Sequence, residues 1–470
     1  MLAYTLTIAG QPVATTTTID VLNPADGSVV AACPVSTLDH VDAAVQAARG
    51  AFPAWAALTN AERSAKLNAI ADLIESHHQE LSELVTREQG KTQSGPGANL
   101  EVGGATAWTR VTAGLELPEE TIQDDAAAKI VIRRKPIGVV GSITPWNWPL
   151  MIAVWHIVPA LRVGCTVVIK PSPFTPLSTL RLVALMNQVL PPGVVNVVTG
   201  GADIGQHLSQ HPGIDKMVFT GSIETGKKIM GAAAQALRRV TLELGGNDAG
   251  IVLPGTRIAP LLEKLFWGCF INAGQTCAAL KRLYVHEGQY EEVVAAFAQY
   301  VSTIPVGNGL DTANLIGPLT NEMQRDKIVS LVEEARSLGA VIVTGGVKPA
   351  APGYFYPLTV IAHATDRMRV VYEEQFGPVI PILKYENVEQ AIERANSLKV
   401  GLGGSVWGND VDVAAAYAQR LECGTAWVNQ HGTLHPLAPF GGVKNSGIGV
   451  EFNVDGLREY TTVQVLNVAR

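Results

Sequence analysis

Three residues far apart in the chain could together work on a carbonyl carbon: Cys277, Glu243 and Asn147. Cys277 lies in Ile271-Asn-Ala-Gly-Gln-Thr-Cys-Ala-Ala-Leu-Lys-Arg282, just past the helical apolar pattern of Leu261, Leu262, Leu265, Phe266 and Cys269. A thiol in an open, polar turn near a helix end is placed to react, whereas one packed among large aliphatics is inert. Thiolate attack on a carbonyl builds negative charge on its oxygen, so a hydrogen-bond donor must already point there. Asn147, in Thr144-Pro-Trp-Asn-Trp-Pro149, stands at the end of an apolar strand between two tryptophans and two prolines that would hold its amide. The competing reading is an Asn that caps the helix beginning near Pro149. Glu243, in Val240-Thr-Leu-Glu-Leu-Gly-Gly246, sits where an apolar strand runs into a glycine turn. Partial desolvation there raises a carboxyl pKa toward the range useful for activating water. Pairing with Arg238, Arg239 or a cofactor hydroxyl competes with that role.

Weaker signals surround these three. Gly221-Ser222-Ile-Glu-Thr-Gly226 follows a strand and opens a helix, whose free N–H groups suit a pyrophosphate. Its glycines are five apart, so it is not the Gly-x-Gly-x-x-Gly fingerprint. Lys170-Pro-Ser172 ends another strand and could hold a dinucleotide ribose, or Lys170 could simply be solvated. In Glu373-Glu-Gln-Phe376-Gly-Pro378 one carboxylate could hold a ribose with Phe376 on a nicotinamide; a charged helix end is the plainer reading. Pro439-Phe-Gly-Gly-Val-Lys-Asn-Ser-Gly447 could line a pocket mouth or merely connect. The ten histidines show no H-E-x-x-H, and no metal site is expected.

The elements that must position these residues follow from pattern. At 470 residues and 47% apolar, the chain is long enough for two or three domains with large buried interiors. A net charge of −7 without a basic run argues against nucleic acid. Five scattered cysteines without a C-x-x-C pair point to a reduced, cytoplasmic protein. Val139–Leu161 is as long as a membrane span, but Pro145, Pro149 and Pro159 interrupt it, so a buried strand and helix explain it better.

The first hundred residues are expected to be mainly helical. Asp39 is the expected cap of the first helix, Thr59 opens a long run through Val85, and Thr92–Gly104 turns into another helix. Leu117–Lys135 and Leu457–Val468 read as strands lacking a sheet of their own. From Pro136, strands Gly138–Ile143, Thr166–Ile169, Val194–Val198, Lys216–Phe219 and Thr241–Leu244 alternate with helices Leu150–Leu161, Leu177–Leu190, Ile204–Ser209 and Thr225–Ala236. That alternation predicts a parallel, doubly wound sheet with ligands at its carboxyl ends. A second α/β block places strands at Ala249–Leu253, Arg282–Val285, Val341–Thr344, Val379–Leu383 and Thr425–Val428, with helices Tyr290–Val301, Glu322–Leu338 and Val388–Ser397.

Taken together and in order, these segments resemble the NAD(P)-dependent aldehyde dehydrogenase superfamily over essentially the full chain. The matching segments are Thr144–Pro149, Lys170–Ser172, Phe219-Thr-Gly-Ser222 with Gly226, Leu242-Glu-Leu-Gly-Gly-Asn247, Gly274-Gln-Thr-Cys277, Glu373–Pro378, and Pro439–Gly442 with Lys444, Ser446 and Gly447. The resemblance implies a Rossmann-like cofactor domain (1–116 and 137–246), a catalytic α/β domain (247–450) and a small β oligomerisation element (117–136 and 451–470). It implies that Cys277 forms a thiohemiacetal, that Asn147 and the Cys277 N–H hold the oxyanion, and that hydride leaves to the nicotinamide. Glu243 would then activate the water that hydrolyses the thioester. Thr144, Pro145, Trp146, Lys170, Ser172, Gly221, Ser222, Gly226, Leu244, Glu374 and Phe376 would contact the cofactor. Trp148, Trp155, His156, His431 and Phe440 would line the substrate path, and the chain would form a homodimer or homotetramer.

Two departures from the family pattern matter. Many relatives carry Glu, which selects NAD, where this chain has Pro173; NAD is favoured and NADP stays open. Many carry Lys where this chain has His156. An imidazole titrates near neutrality, so activity is expected to rise between about pH 6 and 8 as His156 loses its proton. No arginine adjoins Cys277 in Gly274–Leu280, which favours an apolar or aromatic aldehyde over a carboxylate-bearing one, with an aminoaldehyde second. The loop Gln430–His435 would close the tunnel mouth. The rivals are a CoA-acylating aldehyde dehydrogenase and a non-catalytic dinucleotide-binding relative.

Overall fold

Five parallel strands make the frame from which the crevice hangs. The computed structural model describes residues 4–470. Across the sheet the strands run Val195–Val197, Thr166–Lys170, Val139–Ile143, Lys216–Thr220 and Arg239–Glu243. The middle three are almost wholly buried, as expected of strands covered by helices on both faces. Chain order reverses beside Val139–Ile143, which pairs with Thr166–Lys170 on one side and Lys216–Thr220 on the other. A crevice opens above the carboxyl ends at such a reversal, and Thr144–Asn147 starts there. The predicted helices appear as Pro149–Val163, Leu177–Met186, Ala202–Gln210 and Ile223–Gln235. The second of these stops at Met186, short of the expected Leu190.

The first hundred residues are mainly helical, as expected, but short strands that were not expected come first. Four short strands, Leu6–Ile8, Gln11–Val13, Thr18–Leu22 and Val29–Pro34, precede the helices. Leu6–Ile8 pairs antiparallel with Val195–Val197 and extends the sheet. Segments of three to six residues that are partly polar carry too little periodicity to be read. The first helix, Leu38–Ala56, is capped by Thr37 rather than Asp39: Thr37 Oγ1 accepts from the His40 N–H at 3.4 Å and His40 Nδ1 accepts from the Thr37 N–H at 3.0 Å. Thr59 does cap its helix, with Glu62 completing the box, but the run to Val85 breaks at His77 into Asn60–Ser76 and His78–Gln89.

The second sheet has seven strands, ordered Val341–Thr344, Thr359–Ala362, Val379–Tyr385, Leu280–His286, Asp248–Val252, Gly403–Trp407 and Thr425–Val428. Two of these were not anticipated: the short Thr359–Ala362 and the glycine-led Gly403–Trp407, where composition argues against a strand and burial overrides it. Leu117–Lys135 and the tail find each other. Ala128–Pro136 pairs antiparallel with Thr461–Ala469 and with Glu120–Asp124, forming a separate three-stranded sheet. Ile122, Val463, Val465 and Val468 lie exposed on it. Gly447–Ile448, placed by sequence in the second domain, instead pairs with Leu242–Glu243 at the edge of the first sheet.

Among the described residues no helix is long and apolar enough to cross a membrane; Val139–Leu161 is a strand, a turn and a buried helix. Asp42, His207 and His211 bring potential metal ligands together on the first domain. The Gly213 N–H donates to His211 Nδ1 at 2.9 Å, which leaves the ring proton on Nε2, facing Asp42 at 3.3 Å. Hydrogen bonding accounts for the cluster.

Candidate active site

The turn that presents Cys277 is built from unusual backbone. After the helix Leu262–Phe270, Asn272 and Ala273 take left-handed conformations at φ 51° and 55°. Such residues cost about 1–3 kcal/mol unless their surroundings hold them. Here the Asn272 amide donates to the Asn147 carbonyl at 2.8 Å and Gln275 Nε2 donates to the Asn272 carbonyl at 3.0 Å. The Thr320 N–H donates to Gln275 Oε1 at 2.9 Å, tying the turn to the segment that leads into the helix Glu322–Ser337. Cys277 is half-buried rather than open, and burial together with the Glu243 charge pushes its thiol well above the usual range.

Asn147 does not cap the following helix; Trp148 occupies that position without a side-chain bond. The Asn147 side-chain amide reaches across to the Cys277 turn and donates to the Gln275 carbonyl at 2.9 Å. The Asn147 backbone carbonyl is gripped by Lys91, whose Nζ donates to it at 2.7 Å and to Glu101 at 2.5 Å while lying 3.5 Å over the Trp148 ring. Glu101 in turn accepts from the Leu150 and Met151 N–H groups at the helix start, at 2.9 and 3.1 Å. Lys91 and Glu101 are fully buried, and desolvation pulls the Lys91 ammonium down to about 8. Lys91→Met strands the Glu101 charge and is expected to cost about 3–5 kcal/mol of stability. Loss of near-UV circular dichroism at lower urea than wild type checks it.

Glu243 ends its strand with its carboxyl buried and Oε1 without a hydrogen bond among the described residues. Burial, then the neighbouring Glu451 carboxylate, hold its pKa well above the ordinary carboxyl range, with the Cys277 thiol pulling the other way. Pairing with Arg238 or Arg239 does not occur: Arg238 donates to the His211 carbonyl at 2.8 Å and Arg239 to the Thr461 carbonyl at 2.7 Å. Cys277, Glu243 and Asn147 open onto one cavity of about 210 Å³, shared with Pro145, Trp146, Gly221, Ser222, Glu374 and Phe376.

This cavity suits a dinucleotide end. The helix Ile223–Gln235, capped by Ser222, starts at its wall and supplies a positive N-terminus. Phe376 adopts φ 58° and meets the Trp146 ring edge-on, with centroids 5.3 Å apart. Glu374 lies so close to the glycine turn that a Cβ on Gly245 would fall 2.3 Å from its Oε2. Glu373, by contrast, turns away and pairs with Arg369 at 2.8 Å. Lys170 and Ser172 do not line this cavity; Lys170 ends the neighbouring strand Thr166–Lys170. Lys170 is buried, not solvated, and desolvation draws it down to about 8. Thr144 is buried with Oγ1 unbonded among the described residues. Gly226 and Leu244 lie beneath the turn: a Cβ at Gly226 would come 2.6 Å from Leu244 Cδ2, so their contact seats the helix on the sheet.

The expected substrate side divides. Trp148, its Nε1 donating to Thr276 Oγ1 at 3.0 Å, and Phe440 share an aromatic cluster with Trp427 and Phe452, which Cys277 touches. Of the other expected lining residues, Trp155 belongs to the same cluster, while His156 and His431 are placed otherwise. Trp155 packs on Trp108 and Phe452, with centroids 5.9 and 4.8 Å away, and borders a separate small pocket. His156 is wholly enclosed, with Nδ1 2.8 Å from Ser142 Oγ and Nε2 3.0 Å from Thr220 Oγ1 and 3.3 Å from Glu451. His431 is buried between Ser405 at 2.9 Å and Asp248 at 3.4 Å, and so fastens the Gln430–His435 loop. On the helix Pro149–Val163, spacing alone could not separate a ring facing the cavity from one facing the sheet.

Gln324 and Lys327 were missed. They sit three apart on the helix Glu322–Ser337, line the cavity, and brace the Glu374 loop: Lys327 Nζ donates to the Glu374 carbonyl at 2.7 Å, and Gln324 Nε2 to the Gln375 and Phe376 carbonyls at 2.8 Å each. Their i, i+3 spacing beside a predicted N-terminus was the available signal. Glu451, behind Glu243, carried none.

A sequence model of the aldehyde dehydrogenase family matches residues 12–466. The phenylacetaldehyde dehydrogenase of Pseudomonas fluorescens is 37% identical over 469 residues, covering 96% of this chain and 93% of its own. The geranial dehydrogenase of Castellaniella defragrans is 38% identical over 462 residues, covering 96% of both. The crystal structure of betaine aldehyde dehydrogenase from Staphylococcus aureus in complex with NAD+ superposes with a TM-score of 0.96 at 35% identity, covering 99% of this chain and 95% of that one. The chain thus belongs to the aldehyde dehydrogenase family and is an NAD(P)-dependent oxidoreductase acting on aldehydes.

Proposed function

We propose that the enzyme oxidises an apolar or aromatic aldehyde to the carboxylic acid through an acyl group carried on Cys277. The observation that carries this is the meeting of Cys277, Asn147 and Glu243 at one cavity. Burial and the Glu243 charge favour the protonated thiol, so attack requires its proton to leave; the Glu243 carboxylate beside it is an acceptor of raised basicity. The Asn147 amide, pinned by Lys91 and Asn272 through its own carbonyl, donates to the oxygen of the tetrahedral adduct. The bound nicotinamide supplies the hydride acceptor. Glu243 then takes a proton from the water that releases the acid. Glu374 and Phe376 would hold the nicotinamide riboside, Gly221 and Ser222 the pyrophosphate, and Lys170 and Ser172 the adenosine ribose. NAD is the favoured cofactor. With Pro173 in place of a carboxylate nothing at that position repels a 2′-phosphate, so both cofactors enter the test.

The aromatic cluster beside Cys277 supports the substrate class, as do relatives named for phenylacetaldehyde and geranial; aminoaldehydes come second. Absorbance at 340 nm with NAD or NADP and aldehydes of each class tests the reading. No reduction by any of them while Cys277 still alkylates would leave a dinucleotide-binding protein without turnover. Acid formed without CoA separates hydrolysis from acyl transfer, which needs no base at Glu243. The exposed apolar sheet Glu120–Asp124, Ala128–Pro136 and Thr461–Ala469 is the proposed self-association surface, and the cytoplasm the proposed location.

His156 enters as a neighbour of Glu451 and so of Glu243, not as a substrate contact. His156→Lys is expected to alter the pH–rate profile by changing what Glu451 and, through it, Glu243 experience. Superimposed wild-type and variant curves would remove His156 from the chemistry.

A further inference from the structure

Lys281 lies four residues beyond the nucleophile, at the start of the strand Leu280–His286, with its side chain only 3% exposed. Its ammonium makes three contacts. It donates to the Thr276 carbonyl at 2.9 Å, to the Cys277 carbonyl, and to Glu374 Oε1 at 3.1 Å. The first two acceptors flank the thiol. The third belongs to the carboxylate that the proposed reading gives to the nicotinamide ribose, and the same oxygen accepts the Gly246 N–H at 3.2 Å. A buried cation fully engaged by these partners is a costly feature to keep unless it organises something.

We propose that Lys281 is a positioning residue for the Cys277 reaction, its ammonium locking the two carbonyls around the nucleophile to the Glu374 carboxylate, so that the state of Glu374 sets the net charge felt by the thiol. This rests on the nucleophile reading of Cys277. The charges around that thiol are few. Glu243 faces it from the strand Arg239–Glu243, with Glu451 behind. Glu374 faces it from the loop after Arg369–Tyr372, with Lys327 on that loop's carbonyl. Of these, Lys281 favours the thiolate, while Glu243 and Glu374 oppose it. In the ion pair, Glu374 partly cancels the one helpful charge. A ligand that engages Glu374 would release it.

The test is the pH dependence of Cys277 alkylation by iodoacetamide, with peptide mapping to exclude the partly exposed Cys423. Lys281→Met is expected to slow alkylation about tenfold near neutral pH and to move the midpoint upward. Lys281→Arg keeps the cation and should recover most of the rate. Glu374→Gln leaves the ammonium uncancelled, so its midpoint should move the opposite way. That arm stands even where Lys281→Met fails to fold, because Glu374 is partly exposed and Gln is its isostere. A purely structural lysine would alter yield or KM without moving these midpoints in opposite directions. Unchanged midpoints in a normally alkylated enzyme, or shifts of the same sign in Lys281→Met and Glu374→Gln, would overturn the proposal. A wild-type Cys277 that never alkylates overturns the nucleophile reading with it.

Discussion

Cys277→Ala is expected to remove aldehyde oxidation altogether, by a factor on the order of 10⁵ or more, with no burst of reduced cofactor. The size follows from what remains. Without the sulfur no covalent adduct forms, and the carbon from which hydride must leave never becomes tetrahedral next to the Asn147 donor. Stability should hardly change, because the thiol is half-buried at a cavity wall and its turn is held by Asn272, Gln275 and Lys281 through groups the substitution leaves intact. Cofactor binding should also survive, since Glu374, Phe376 and the Gly221–Ser222 turn do not depend on the sulfur. The measurement is stopped-flow absorbance at 340 nm alongside cofactor titration by tryptophan fluorescence, for which Trp146 against Phe376 is a suitable reporter. A variant that binds cofactor and still turns over at one per cent of wild type would move the chemistry off Cys277.

How much of this could be read from residues alone depended on how local each signal was. The five parallel strands were legible because each places buried apolar residues between helical segments, and both the order of the crevice segments and the location of their strand ends followed. The three-stranded sheet was half legible: Leu117–Lys135 and the tail looked like strands without partners, and only the fold pairs Thr461 with Pro136 and Ala469 with Ala128. The short N-terminal strands left no periodicity to read. Within the site, Asn147 was ambiguous because a cap and an oxyanion donor have the same side chain at the same helix start. What the fold adds is that Asn147 does not cap the helix and that Lys91 and Asn272, 56 and 125 residues away, fix its backbone carbonyl. Trp155, His156 and His431 could not be oriented for a related reason. A polar or aromatic residue near a motif cannot be oriented until its neighbours are known, and theirs are Phe452, Glu451 and Asp248, each remote in sequence.

Glu243→Gln is expected to separate the two halves of the reaction. Hydride transfer should still give close to one equivalent of reduced cofactor per site, after which turnover falls by about 10²–10⁴, the usual worth of a positioned general base. The stalled enzyme should carry the acyl group on Cys277, seen as a mass increase that hydroxylamine removes. Electrostatics adds a second readout. In wild type, burial and Glu451 favour the protonated carboxyl, yet only the ionised form can take a proton from water. Deacylation must therefore fall as pH falls, through a midpoint above the ordinary carboxyl range, and Glu243→Gln should erase that limb. Removing the neighbouring charge gives the converse. Glu451→Gln should make Glu243 easier to ionise and carry the midpoint to lower pH, while making the base weaker. If Glu243 also accepts the thiol proton, the Glu243→Gln burst will be slower but of full amplitude. If the burst vanishes and no acyl-enzyme accumulates, the carboxylate is needed before the hydride step, and water must be activated by another group.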